Sequence, residues 1–477
     1  QVAAQGSAAA ADVRALNNAS RVILDDGEDE NESNPTTWNP SVTPYLDPIE
    51  GTLRSGDVVN DLAGVVHYSF NEYEVHPVNL ANETYPAGAV TFTRTEASSR
   101  PEAPEVGGSL KVASFNVLNY FTTFGSRGAD NQFEFDRQAA KIVDALIKID
   151  ADIVGLMEIE NNGDADEFSA IYDLVARLNA DVDATRTYGY VDTGNVGDDA
   201  IAVAYIYDVD TVSTVGDFAI LDSSVSPAFL DTRNRPAVVQ TFREASTAEM
   251  ITLAVNHLKS KGSACDDQSN PGDAFYGVAP YTNDPELTDF AGNCNLTRTA
   301  AAQVLGQWLA SDPTDTGAEH TMIIGDLNAY ANEDPITALE GLGYTDLNEL
   351  YSGGNSWAAG GHTYVFDGEL GSLDYAMANA ATLQRVISAA ARHINADEPF
   401  ALDYNDHNPL ANYTADEWKA SDHDPVIVGL DLARPMDDKL AVSEGLAELL
   451  PASDKNTTKR IEKAIDSIDA SLNADWW

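Results

Sequence analysis

Side chains that can bind a metal ion or move a proton border apolar runs at several places in the sequence. Asn116 follows "VASF", Glu158 follows "IVGLM" and His257 follows "LAVN". The other members of this set border further apolar runs and are Asp326, Asn328, Asp374, Asp422 and His423. Strand ends hold polar groups rigidly while exposing them to a substrate. The recurrence of such groups therefore predicts one active site assembled from several strands.

The elements that would position these side chains alternate between strand and helix patterns. The predicted strands are "LKVASFNVL", "ADIVGLMEIE", "AIAVAYIYD", "PAVVQTFRE", "ITLAVNHLKS", "HTMIIGDLNAY", "SLDYAMAN" and "DPVIVGLDL". Apolar residues recur at helical spacing in "FDRQAAKIVDALIKI", "DEFSAIYDLVARLNADV" and "LTRTAAAQVLGQWLA". Helices interspersed with many strands indicate an α/β domain in which helices cover the sheets, and hairpins can make those sheets mixed.

The motifs of this domain, in their order, resemble the endonuclease/exonuclease/phosphatase superfamily, which includes deoxyribonuclease I. The segments that carry the resemblance are "SFNVLNY", "ADIVGLMEIE", "VNHLKSK", "IGDLNAY", "SLDYAM" and "SDHDPV", between about Lys111 and Leu432. Within the superfamily the chain is particularly similar to secreted bacterial nucleases of the nuclease H type, which carry an extra β-barrel before the catalytic domain. The resemblance implies a four-layer α/β/β/α sandwich with the site at one edge of the packed sheets.

The resemblance also implies a divalent-metal site. Glu158 would be the main carboxylate ligand of Mg²⁺ or Mn²⁺, and Asn116 and Asp422 would complete the shell directly or through water. Oxygen donors with waters left in place suit Mg²⁺. Several family members have an acid two residues after the first asparagine, whereas this chain has Leu118 and then Asn119. The number of catalytic metal ions, one or two, therefore stays open.

The remaining motif residues would carry proton transfer and phosphate binding. By resemblance, His423 lies beside the scissile phosphate and takes a proton from the attacking water. Asp374 would orient the His423 imidazole and stabilise its charged form. Asp326 and Asn328 would position the nucleophile or protonate the leaving oxygen. His257 would bind the phosphate or act as a second acid. The division of these last roles differs among family members.

Composition shifts along the chain predict four parts. Residues 1–100 contain short β-type runs separated by Gly, Asn, Asp and Pro, with no helix of useful length, and resemble an oligonucleotide-binding barrel. Residues 101–109 are rich in Pro, Gly and Glu and form a linker. Residues 110–433 form the catalytic domain. Helical apolar spacing over 434–477 predicts a C-terminal helical appendage.

The charge balance is strongly acidic. The chain carries 77 acidic and 27 basic residues, for a formal net charge of −50. Such a surface repels itself, nucleic acid and anionic membranes at long range. At about 1 M salt the Debye length is roughly 3 Å, so this repulsion largely disappears. The charge favours a halophilic or marine protein, with an ordinary acidic secreted protein as the alternative.

The cysteine content favours an exported protein. Cys265 and Cys294 bracket one loop-like segment, which predicts a disulfide and an oxidising compartment, with two free thiols as the alternative. The chain starts without Met, as expected after removal of a secretion signal. No apolar run approaches the roughly 20 residues that span a bilayer. The loop between the cysteines contains Asp266, Asp267, Asp273, Asn283, Asp284 and Asp289. A structural Ca²⁺ or a solvated acidic loop both fit this composition.

The substrate expected from these features is nucleic acid. Arg235, in "DTRNRPAVVQTF", resembles the arginine that family nucleases aim at a phosphate, and Lys259 and Lys261 add basic charge beside His257. We therefore predict a secreted, salt-tolerant, metal-dependent nuclease, monomeric and not inserted in membranes, that hydrolyses DNA or RNA and leaves 5′-phosphates. A sphingomyelinase-like phospholipid phosphodiesterase is the alternative. A non-enzymatic binding module would require loss of motif residues, and none is lost.

Overall fold

The computed structural model describes most of the chain. The described residues are 3–25, 53–78, 90, 92–95, 98–163, 169–181, 183–287, 291–352, 361–406 and 412–433, together with positions 458, 461, 463 and 465. The predicted C-terminal appendage over 434–477 therefore lies outside the described residues apart from those four positions, and it stays a prediction.

The elements run in the following order. The helices are α1 Ala8–Ser20, α2 Gln132–Ile149, α3 Ala170–Ala180, α4 Asn295–Leu309, α5 Asp334–Gly341, α6 Leu347–Ser352 and α7 Ala380–Leu383. The strands before the linker are β1 Ile23–Leu24, β2 Val58–Val59, β3 Gly64–Ser69, β4 Glu72–Pro77 and β5 Phe92–Thr93. The later strands are β6 Leu110–Tyr120, β7 Ile153–Glu160, β8 Tyr188–Tyr190, β9 Ile201–Asp208, β10 Val212–Leu221, β11 Arg235–Glu244, β12 Met250–His257, β13 His320–Asp326, β14 Thr345–Asp346, β15 Tyr364–Phe366, β16 Glu369–Gly371, β17 Asp374–Ala378, β18 Val386–Ala391 and β19 Val426–Leu430.

Two six-stranded mixed sheets form the body of the molecule. Sheet one has the order β18-β19-β6-β7-β9-β8, and sheet two has the order β10-β11-β12-β13-β17-β14. Each contains one parallel pair, β6 with β7 and β12 with β13, and the other pairs are antiparallel. The prediction of a mixed α/β fold is confirmed.

The two sheets pack face to face with helices outside. Residues between the sheets, such as Val255 and Ile324, join one core with α2, α3 and sheet one, and a second core lies between sheet two and α4 and α5. Gly155 permits the close approach, because a Cβ atom there would lie 2.5 Å from Cδ1 of Ile324. The described part of the chain thus has four layers in the order α/β/β/α.

The predicted helices form because their apolar stripes have a sheet to cover. Asn131 caps α2 by accepting from the backbone N–H groups of Phe133 and Glu134. Ile142 and Leu146, one turn apart, are fully buried against sheet one. Burial of each such side chain stabilises the fold by about 1.5–3 kcal/mol.

The segment before the linker differs from its prediction in one respect. β1, β4 and β3 form a three-stranded sheet, β2 pairs with β5, and the 13-residue helix α1 precedes them. The prediction that no useful helix precedes residue 100 is wrong. Ser7 caps α1 and an alanine run favours it, yet α1 buries no residue, so it leaves no apolar stripe to recognise. Closure into a barrel stays a prediction, since 26–52 and 79–89 lie outside the described residues.

Among the described residues, no helix is long and apolar enough to cross a membrane. Cys265 and Cys294 are joined in a disulfide, as predicted, with their Cα atoms 5.2 Å apart.

Candidate active site

Four of the predicted site residues form a row across sheet two. In the strand register Arg235 is opposite His257, His257 is opposite Asp326, and Asp326 is opposite Asp374. Directly opposed residues on neighbouring strands project to the same face. The sheet therefore places a guanidinium, an imidazole and two carboxylates side by side.

Glu158 lies on sheet one, in a stretch of distorted backbone beside this row. Glu158 has φ of +64° inside β7, and the β7–β9 register shifts between Met157 and Ile159. Leu118 and Asn119 also have positive φ, at a bulge in β6. Such conformations are costly for residues with a side chain and cluster at functional sites. The Asn119 backbone N–H donates to Oε2 of Glu158 at 3.1 Å, so this stretch orients the Glu158 carboxylate.

Glu158, Asn116 and Asp422 form an oxygen-rich group. Burial raises the pKa of Glu158, the charge of Asp422 raises it further, and the Asn116 amide lowers it. Oδ1 of Asn116 accepts from the Leu118 backbone N–H at 3.0 Å and keeps its second lone pair. Within the described residues, no lysine or arginine bonds either carboxylate. Two neighbouring carboxylates that no described lysine or arginine side chain bonds, beside an amide oxygen, fit a hard divalent cation.

His423 is paired with Asp374. Its Nδ1 lies 2.7 Å from Oδ2 of Asp374, and that carboxylate oxygen also accepts from the Thr363 hydroxyl at 2.8 Å. The ring packs against Tyr364 with the ring centroids 4.6 Å apart. These contacts fix the imidazole so that Nε2 points away from Asp374 and can exchange a proton with a substrate or water.

Asp326 lies between the two histidines. Its Oδ2 is 4.0 Å from Nε2 of His423 and 3.5 Å from Nε2 of His257. The Asn328 side chain donates to the same oxygen at 3.2 Å and to the Leu258 carbonyl at 3.1 Å. Burial raises the pKa of Asp326, which suits a carboxyl group that holds or passes a proton.

The two histidines have opposite electrostatic surroundings. Burial lowers the pKa of His257, and the positive charges of Arg235 and His423 lower it further. Burial would also lower the pKa of His423, but Asp374, Asp422 and Asp326 hold it well above its ordinary value. The surroundings therefore favour the neutral form of the His257 imidazole and the charged form of the His423 imidazole.

Arg235 lies at the site with a partner that sequence reasoning missed. Its Nε donates to Oδ2 of Asp199 at 3.1 Å, and its Nη1 donates to the Leu258 carbonyl at 3.4 Å. Arg127 adds a second guanidinium, 3.7 Å from Oδ1 of Asp199. Asp199 lies in "GDDA" before β9, and Arg127 lies in "GSRG" after β6. No periodicity marks either residue.

The predicted basic side chains beside His257 are engaged by the protein. Lys261 Nζ bonds Oε2 of Glu333 at 2.5 Å, and Lys259 Nζ donates to the carbonyl of Ser260 at 3.0 Å. Burial and the charge of Arg235 lower the pKa of Lys259 to about 8. Arg235 and Arg127 bring two guanidinium groups to the site, and both pair with Asp199.

The acidic residues of the disulfide loop bind protein donors. Asp284 accepts from the N–H groups of Leu296 and Thr297 and so caps α4, and Asp273 accepts from Ser226 Oγ at 2.9 Å. Asp289 lies outside the described residues. A Ca²⁺ site in this loop stays a prediction, and the described contacts favour the alternative of an acidic loop without an ion.

Comparison with known proteins gives structural similarity alone. No protein-family model and no curated protein matches the chain. An endonuclease/exonuclease/phosphatase family protein from Bacteroides thetaiotaomicron is 17% identical, with 67% of this chain and 96% of that chain covered and a TM-score of 0.42. The human Nocturnin catalytic domain with bound sulfate is 15% identical, covering 67% and 93%, with a TM-score of 0.40. D. rerio TDP2 with single-strand DNA product is 14% identical, covering 67% and 97%, with a TM-score of 0.39. At such values the chemistry must be inferred from the chain's own residues.

Proposed function

We propose that this chain is a divalent-metal-dependent phosphodiester hydrolase of the endonuclease/exonuclease/phosphatase superfamily that cuts DNA, with RNA as a second substrate. The observation that carries the proposal is the row Arg235, His257, Asp326 and Asp374, facing Glu158 and the Asp374-bound His423. Phosphate binding, proton transfer and a cation site are thereby combined at one edge of two packed sheets.

The metal site in this proposal consists of Glu158 and Asp422 with Asn116. When bound there, Mg²⁺ or Mn²⁺ supplies positive charge to a phosphate oxygen and to the developing alkoxide, and offsets the Asp422 charge beside His423. Leu118 adds no ligand atom, and Asn119 contributes its backbone N–H to Glu158.

The proton path uses His423 and Asp374. In its neutral form His423 takes a proton at Nε2 from the attacking water, and the negative charges of Asp374, Asp422 and Asp326 around the ring favour this uptake. The water oxygen bonds to phosphorus and the bond from phosphorus to the 3′ oxygen breaks, which leaves a 5′-phosphate. Asp374 holds the imidazole through Nδ1 and stabilises its charged form. Asp326, whose pKa is raised, gives a proton to the leaving oxygen, and Asn328 holds its carboxylate in place. His257, kept neutral, donates a hydrogen bond to the phosphate beside Arg235.

Nucleic acid is favoured by the two arginines and by the predicted barrel before residue 100. A guanidinium binds phosphate through a fork of donors. Phospholipid is the second candidate because Phe275, in the disulfide loop, is 79% exposed beside Tyr276. One exposed aromatic group could insert into a bilayer surface as readily as it could stack on a base.

Export and a monomeric state belong to the same proposal. The disulfide between Cys265 and Cys294 supports an oxidising compartment. Extracellular DNA would then be the accessible phosphodiester.

The experiment compares plasmid DNA, RNA and sphingomyelin vesicles with Mg²⁺ and with a chelator. We expect DNA cleavage with 5′-phosphate ends that requires the metal. Glu158→Ala and His423→Ala should each lower kcat by a factor of about 10³ or more, with circular dichroism unchanged. Glu340→Gln, an exposed change on α5, is the matched control. Turnover of sphingomyelin without DNA cleavage would overturn the substrate, and near wild-type rates in either alanine variant would overturn the mechanism.

A further inference from the structure

A second group of metal-binding side chains lies on the N-terminal sheet. Nδ1 of His67 is 3.4 Å from Oε2 of Glu74, and Nε2 of His76 is 3.5 Å from the same oxygen. His67 is directly opposite Glu74 on β3 and β4, and His76 follows Glu74 by two residues on β4. The alternation of strand side chains therefore puts all three on one face, with their nearest ligand atoms within 4.8 Å of one another.

The spacing of these atoms fits a coordination polyhedron. Zinc binds histidine nitrogen and carboxylate oxygen at about 2.0–2.2 Å, so two ligand atoms of a tetrahedral site are about 3.3–3.5 Å apart. The two separations at Glu74 have this size. They are also longer than a good N–H···O hydrogen bond, which is about 2.7–3.2 Å.

Neighbouring side chains hold the group in a metal-binding arrangement. Oδ1 of Asp25, just after β1, is 3.3 Å from Nδ1 of His76. A carboxylate on Nδ1 keeps the proton there and leaves the Nε2 lone pair toward Glu74, as carboxylate partners of zinc-bound histidines do. The Ser69 hydroxyl donates to Oε1 of Glu74 at 2.5 Å and leaves Oε2 to face both imidazoles.

We propose that His67, Glu74 and His76 bind one divalent transition-metal ion, of the Zn²⁺ class, at a site separate from the catalytic centre. Two imidazoles and one carboxylate suit Zn²⁺ rather than Mg²⁺ or Ca²⁺, which take oxygen ligands. With neutral histidines, Asp25 and Glu74 give the group two negative charges, which a divalent ion offsets. The ion would join β3 to β4, and Asp25 would link it to β1.

The site is accessible to an ion from solution. The side chains of His67 and His76 are 59% and 30% exposed, and that of Glu74 is 11% exposed. Substitution of the two histidines therefore removes little buried surface, and the variants should fold. The proposal does not depend on the chemistry of the catalytic site, because none of its residues belongs to sheet one or sheet two.

The experiment measures Zn²⁺ binding to the full chain after chelator treatment, with excess Mg²⁺ present to occupy the catalytic carboxylates. We expect wild type to bind one more equivalent of Zn²⁺ than His67→Ala/His76→Ala. Glu74→Gln should weaken that equivalent by a factor of about 100. Asp25→Asn should weaken it by a factor of about 10–100, as loss of a carboxylate behind a zinc-bound histidine does. Co²⁺ in place of Zn²⁺ gives a visible absorption spectrum that the double variant should change.

Glu72→Gln is the matched control. It removes a carboxylate from the same strand, and that carboxylate bonds Arg21 rather than a histidine. It should leave the Zn²⁺ equivalent and its affinity unchanged. Equal Zn²⁺ stoichiometry and affinity in wild type and the double variant would overturn the proposal, and would leave a simple histidine–carboxylate ion pair. Mg²⁺-dependent activity should be the same in the double variant and wild type, so the outcome is independent of the proposed nuclease function.

Discussion

At the scale of single residues, the neighbours of the two histidines in the candidate site shift their pKa values in opposite directions. Burial disfavours the charged form of both. His423 overcomes this through the carboxylate 2.7 Å from its Nδ1, whereas His257 faces a guanidinium. Neighbours that push the pKa values of two like groups apart let one site use the two groups in different roles. Asp326 lies between the rings, 3.5 Å from Nε2 of His257 and 4.0 Å from Nε2 of His423.

The grouping of His257, Asp326 and Asp374 could be predicted because strand ends mark these residues. His257 and Asp326 end apolar runs, and their register then brings them together. Asp199 and Arg127 were missed because both lie in loops. Asp199 is identified only by its contact with Arg235, and Arg127 only by its contact with Asp199. Tyr364 was missed because an aromatic residue is common in any strand, and only its packing against the His423 ring marks it. Such tertiary contacts leave no local pattern.

Asp346 gives a residue-scale prediction on stability. It is buried, its Oδ1 accepts from the N–H groups of Asn348 and Glu349, and its Oδ2 has no hydrogen-bond partner among the described residues. Burial raises the pKa of Asp346 from 3.8 to about 7. The folded state then binds this proton more tightly than the unfolded state, so stability falls as pH rises from about 4 to about 7.

Asp346→Asn should remove this dependence while it keeps an acceptor for both N–H groups. At about 1.4 kcal/mol per pKa unit, the variant should gain a few kcal/mol relative to wild type between pH 4 and pH 7.5. Urea unfolding of both proteins across that range measures the difference. Asp210→Asn, the same substitution at an exposed position in the turn after β9, is the matched control. Parallel stability curves for wild type and Asp346→Asn would contradict the assigned protonation.

At the scale of elements, a buried arginine before the linker bonds the loop that follows β18. Arg54 donates to Oε1 of Glu398 at 2.9 Å and to the His393 carbonyl at 2.8 Å, and its Nη2 is 3.2 Å from Oδ2 of Asp397. The loop that carries these groups also contains Asn395, whose amide donates to the backbone carbonyl of His423 at 2.6 Å. The N-terminal block therefore supports the backbone of a proposed catalytic residue.

Sequence patterns could not predict this connection. Periodicity identified α2 and α4, because each covers a sheet with an apolar stripe. It says nothing about a single arginine 344 residues from its carboxylate partner. The composition of residues 101–109 predicts a linker, and composition alone cannot indicate that contacts join the two sides of that linker.

Arg54→Ala should destabilise the fold and weaken catalysis. Removal of one partner from a buried ion pair leaves an uncompensated charge and costs about 3–5 kcal/mol. Asp397 and Glu398 are both almost fully buried, although Arg100 still pairs with Glu398. We expect a lower urea midpoint, and a lower kcat measured where the variant is still folded. Arg14→Ala, which removes an arginine of the same block that pairs with the partly exposed Glu369, should change neither by much. An unchanged kcat in folded Arg54→Ala would show that the contact serves stability alone.

At the scale of the whole molecule, charge and the proposed function oppose each other. If the chain cuts DNA as proposed, a protein of net charge −50 binds a polyanion, and the described site contains the guanidinium groups of Arg235 and Arg127, both paired with Asp199. The fold itself does not require this charge, because its cores are apolar and its two sheets are joined by aliphatic side chains. The acids therefore act on solubility, association and salt response rather than on the architecture.

The salt response is the prediction that belongs to this scale. The Debye length falls from about 30 Å at 0.01 M to about 3 Å at 1 M, so added salt removes repulsion within the protein and between the protein and DNA. We expect the urea midpoint to rise between 0.05 M and 1 M NaCl, and kcat on DNA to persist at 1 M. Counterion release weakens contacts between cations and phosphates, so KM should rise with salt while kcat does not fall. Loss of kcat at 1 M NaCl with unchanged circular dichroism would contradict salt adaptation and leave the acidic surface as that of an ordinary secreted protein.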